Sequence, residues 1–68
     1  MMDNAKRQAL TAEFMARLDA TPPGTPNGDK LRVSYHKVVS MLLSGATLED
    51  IKNTPLSLQR SDADLLLS

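Results

Sequence analysis

Lys30–Leu43, KLRVSYHKVVSMLL, carries the clearest helical period in the chain, and its reading decides the fold. Leu31, Tyr35, Val38 and Leu42 fall at i, i+4, i+7 and i+11, the spacing of one face of an α-helix. Val39 and Met41 flank that line and widen it into a broad apolar stripe, while Arg32, His36, Lys37 and Ser40 fall on the opposite face. Gly45 just past the end is the usual C-terminal stop. A helix with a stripe this wide has to be covered by something.

Working outward, the N-terminal side reads as a first helix over about 4–20, with Asp3 or Asn4 as N-cap and five alanines favouring the helical state. Leu10, Phe14 and Leu18 repeat at i+4 and make a narrow apolar line, the seam for one partner helix. Between the helices, TPPGTPNGD at 21–29 holds three prolines and two glycines and reads as a linker. It is long enough for an antiparallel hairpin and equally for exchange of a helix between subunits. With Asn27 or Asp29 as cap, the second helix is expected over about 30–44. That places Lys30 and Arg32 in its first turn, where the helix dipole disfavours a cation by about 0.3–1 kcal/mol each. They are either simply solvated or turned towards an acidic partner.

On the C-terminal side, Thr47-Leu48-Glu49-Asp50 begins like a capping box and predicts a short helix over about 48–53, which Pro55 ends. Residues 54–68 read as a loosely held tail. Ser61-Asp62-Ala63-Asp64 offers another cap, and Leu65, Leu66 and Leu67 either dock in an apolar groove or stand exposed. The predicted fold is all-α: one small domain of two main helices in a hairpin plus a short third helix, completed by dimerisation. Sixty-eight residues with no cysteine to staple them struggle to bury enough apolar surface alone. Leu10, Phe14, Leu18, Leu31, Tyr35, Val38 and Leu42 are the residues expected to build the self-association surface.

Eight basic and eight acidic residues cancel, which weighs against a strong non-specific nucleic-acid binder. Their distribution is uneven. Residues 30–37 carry Lys30, Arg32 and Lys37 without an acid, whereas Glu49, Asp50, Asp62 and Asp64 outweigh Lys52 and Arg60 further on. No apolar run approaches the length of a membrane span, and the N-terminus lacks the apolar core of a signal peptide. With the absence of cysteine, this makes the cytoplasm the expected compartment.

Catalysis finds little support in the residues. The single His36 has no second histidine on its helix to share a metal, no Gly-rich phosphate loop occurs, and Glu49 and Asp50 suit a helix dipole better than an acid–base pair. No cofactor or metal is expected. A helix, a Ser-Gly turn and TLEDIKN imitate a helix-turn-helix, but the would-be recognition helix begins with two acids and stops at Pro55. Leu31-Arg32-x-x-Tyr35-x-x-Val38-Val39 resembles the first-helix pattern of the NepR-type anti-sigma factors of alphaproteobacteria, over nine residues. SMLLSGATLEDI departs from the proline-spaced second element of that family. The resemblance implies a short helical protein that occludes a larger regulator.

The expected function is therefore a non-catalytic interaction module: a regulator, adaptor or inhibitor acting on another protein through helix surfaces. The alternative is a small dimeric DNA-binding transcriptional regulator, with a structural role third. Lys30, Arg32, His36 and Lys37 are the expected partner-binding residues, exposed opposite the stripe.

Overall fold

The computed structural model describes residues 3–67, and its elements in chain order are α1 (Asn4–Ala20), α2 (Pro26–Leu43), α3 (Leu48–Lys52) and α4 (Arg60–Leu67). No strand occurs among the described residues, so the all-α expectation holds, with one helix more than the sequence suggested.

α1 begins where Asp3, in extended conformation, accepts the Lys6 N–H at 2.7 Å. It ends at Thr21, because Pro22 and Pro23 cannot continue the ladder. α2 starts four residues earlier than its apolar period announces. Thr25 is the N-cap, its hydroxyl accepting the Gly28 N–H at 3.0 Å, and Pro26 sits in the first turn. Proline is welcome there, since the N–H it lacks has no intrahelical partner anyway. The expected 21–29 linker thus shrinks to five residues, 21–25, and Asn27 and Asp29 lie inside the helix rather than capping it. Gly28 is not a turn glycine either. It is buried, and a Cβ there would meet the Pro22 carbonyl oxygen and the Thr25 hydroxyl at 2.7 Å each, so its bare backbone lets the loop fold across the helix start.

At the other end Gly45 has φ of +96°, and its N–H and that of Ala46 donate to the carbonyls of Leu42 (3.3 Å) and Met41 (2.9 Å). That pair of bonds is a Schellman closure. Thr47 and Asp50 then form the expected capping box of α3, at 3.0 and 3.1 Å. The bond from the Thr47 N–H holds the Asp50 carboxyl below the usual carboxylate range.

α1 and α2 run antiparallel, and each helix closes the other's C-terminus. One Arg7 amino group donates to the carbonyls of Leu42 (2.9 Å) and Ala46 (2.7 Å). One Arg32 amino group donates to those of Leu18 (3.1 Å) and Thr21 (2.7 Å). Between these ends the rings of Phe14 and Tyr35 meet, tilted by 52° with centroids 6.0 Å apart. Leu10, Phe14, Tyr35, Val38, Val39, Leu42, Ile51 and Leu66 are the buried core, with Leu18, Leu31, Leu56, Leu58 and Leu65 packed around it.

The expected loose tail divides in two. A segment over 53–59, turning at 53–54 and extended after that, crosses α2, where the Ser57 N–H donates to Ser34 Oγ at 2.9 Å. α4 then docks back on the hairpin through Leu66 and a fully buried Asp62.

Candidate functional site

The seven residues expected to make a self-association surface are used inside one chain. Leu10, Phe14, Tyr35, Val38 and Leu42 are buried, and Leu18 and Leu31 are half-buried. α1 covers one side of the broad stripe on α2, while α3, the 53–59 segment and α4 provide the rest of the packing. Part of the stripe's width is thus packed within one chain by α3, the 53–59 segment and α4, while Leu18 and Leu31 stay half-buried.

Asp62 holds much of this together. Its carboxylate accepts from the Arg17 guanidinium, from the Tyr35 hydroxyl at 2.7 Å and from the Gln59 N–H at 2.9 Å. It therefore caps α4, neutralises Arg17 and satisfies a buried phenol at once, as a buried charge must be satisfied. Burial first, and the bond to Asp62 second, push the Tyr35 hydroxyl up to about 12. The carboxylate of Asp62 and the hydroxyl of Tyr35 are thus spent on holding helices together, while the buried Arg17 Nε–H has no partner among the described residues.

The expected partner-binding residues separate into two groups. Arg32 is half-buried and tied to the end of α1, so its placement does have a packing role. Because α2 begins at Pro26, neither Lys30 nor Arg32 lies in its first turn, and the helix dipole does not disfavour either cation there. Lys30, His36 and Lys37 are exposed. Lys30 and Lys37, seven positions apart and about 10 Å along the axis, rim an open groove of about 340 Å³ between α2 and the extended segment. Its apolar lining is Val33, Pro55 and Leu56, with Ser34 and Ser57 between. Val33 is 68% exposed, and neither lysine has an ion pair among the described residues. Asp29, also at the rim, accepts the Gly24 N–H at 3.2 Å. His36 lies outside the groove lining.

Sequence reasoning passed over Val33. The available signal was its place on the helical wheel, a large apolar residue opposite the stripe and between two lysines. Pro55 and Leu56 carried no such signal, because their approach to α2 depends on where the extended segment crosses.

Among the described residues no three His, Cys, Asp or Glu side chains are grouped to hold a metal ion, and no helix is long and apolar enough to cross a membrane. Compared with protein-family models, curated proteins and solved structures, the chain matches none, so the nine-residue likeness at 31–39 carries no family assignment.

Proposed function

We propose that this chain is a small non-catalytic interaction protein, a regulator, adaptor or inhibitor, that captures a larger protein in the groove between α2 and the 53–59 segment. The observation that carries the reading is the pair Lys30 and Lys37, without ion pairs, on either side of the exposed Val33. Exposed lysines cost little by themselves, and a lone exposed valine is ordinary. Joined in a groove, they supply what a partner needs: an apolar anchor and a rim of uncommitted charge.

The nucleic-acid alternative draws less support. Of four arginines, the side chains best suited to phosphate, Arg7, Arg17 and Arg32 are committed to the chain's own carbonyls and to Asp62.

The test is capture from the native cell, with and without nuclease, comparing the wild type with Lys30→Glu/Lys37→Glu and with Arg60→Glu as an exposed charge reversal elsewhere. The expected result is a nuclease-resistant protein partner lost only with the groove double variant. Retention of that partner by the groove variant moves the site away from α2. Loss of capture on nuclease treatment transfers the reading to nucleic acid, with a salt dependence of about −0.9 per phosphate contact on duplex DNA.

A further inference from the structure

A second groove, of about 290 Å³, lies on the other side of the extended segment, lined by Lys52, Leu56, Leu58, Ala63 and Leu67 among others. Leu56 lines both grooves, so the two meet across one side chain. Leu67 is exposed to the same degree as Val33, 68%. Val33, Leu56 and Leu67 are the apolar side chains that link the two grooves, with Lys30 and Lys37 lining the first and Lys52 the second. No acid lines the second groove, and the one acid on the first, Asp29, is bonded to the Gly24 N–H. None of the three lysines has an ion pair among the described residues.

From this we infer that both grooves form one docking track, and that its occupant is an acidic amphipathic α-helix of a partner protein. The inference rests on the proposed groove function and specifies its ligand. Charge complementarity selects the acid, because carboxylates along both flanks of an apolar ridge meet lysines in both grooves. The backbone argues against a strand on the α2 side of the segment. Pro55 has no N–H, and the N–H groups of Ser57 and Gln59, on the same edge, are already given to Ser34 and Asp62, so that edge offers a pairing strand no donor. The apolar side chains available for recognition stand on three different elements, α2, the 53–59 segment and α4, so a surface that spans both grooves is read through side chains. A helix meets such a surface with a ridge of residues at i, i+3 or i+4, and i+7.

The probe is a synthetic peptide of roughly sixteen residues, about 24 Å long as a helix, with leucines at that spacing and glutamates beside them. It is titrated into the full, isotope-labelled chain and followed by amide chemical shifts. Val33, Leu56 and Leu67 should shift together, with the peptide turning helical as it binds. A peptide of the same charge with a central proline, and one with lysines for the glutamates, should each bind at least tenfold more weakly. Val33→Glu and Leu67→Glu, both at exposed positions, should each weaken binding by about tenfold or more. Equal binding of the proline peptide overturns the helix, equal binding of the lysine peptide overturns the acid, and a silent Leu67→Glu overturns the continuous track. Absence of binding by any peptide at millimolar concentration overturns the inference outright. None of these results alters the capture experiment, which judges the parent reading through Lys30 and Lys37 separately.

Discussion

Arg32 and Lys37 sit five residues apart on one helix and look interchangeable in sequence, yet they do different work. The Arg32 guanidinium supplies donors to two carbonyls at the end of α1 that no helical N–H can reach. Arg32→Ala should therefore lower stability by about 1–2 kcal/mol in a urea titration, whereas Lys37→Ala should change it by less than about 0.5 kcal/mol. Arg32→Glu is accordingly a poor probe of binding, because it injures the hairpin first. Tyr35 makes a second residue-scale test. Its hydroxyl is raised from 10.0 to about 12 by burial and by Asp62. The unfolded chain then loses its phenolic proton first, so this contribution is intact below pH 10 and is lost as pH rises from there through about 12. Tyr35→Phe should flatten that alkaline decline while lowering stability at pH 7 by about 1–2 kcal/mol, as Asp62 loses a donor. An unchanged alkaline limb in the variant would assign the decline to other groups.

Among the elements, α4 depends most on a single side chain. Asp62 fastens it to α1 through Arg17 and to α2 through Tyr35, with Leu66 supplying the apolar contact. Asp62→Ala should cost about 3 kcal/mol or more, since it leaves Arg17 only the looser pair with Glu13 at 3.8 Å and leaves a buried phenol unsatisfied. Hydrogen exchange should show α4 amides released before those of α1 and α2. How far these elements could be read from sequence depended on the range of the interaction. The Asp3 cap, the capping box at Thr47 and Asp50 and the stop at Gly45 are local chemistry and were legible as such. Thr25-Pro26 was also written locally, but the density of Pro and Gly around it reads as a linker. Only the close approach of the Pro22 carbonyl explains Gly28. The Asp62 cluster joins residues from three helices, and Arg32 finds its carbonyls only once the hairpin is closed. Half of the groove was legible, Lys30 and Lys37, because they lie on one helix. The opposite wall was not.

For the whole molecule, a chain 36 Å long and about 20 Å across gathers its eight buried apolar side chains into one cluster, and a fold that needs no second copy has a simple signature. The melting temperature should then stay constant over a hundredfold dilution, followed by circular dichroism. A melting temperature that falls on dilution would show that a second copy completes the fold, and the exposed Met15 and Leu43, which line one groove between α1 and α2, would be the first place to look for it. The reciprocal arginines have a consequence of their own. Helix ends ordinarily fray, and two helices can slip past each other by a turn at little cost. Arg7 and Arg32 grip opposite ends of the pair, so a slip of one turn, about 5.4 Å, breaks both grips together. The hairpin behaves as a ruler with a stop at each end, and its two tips should be among the last places to loosen.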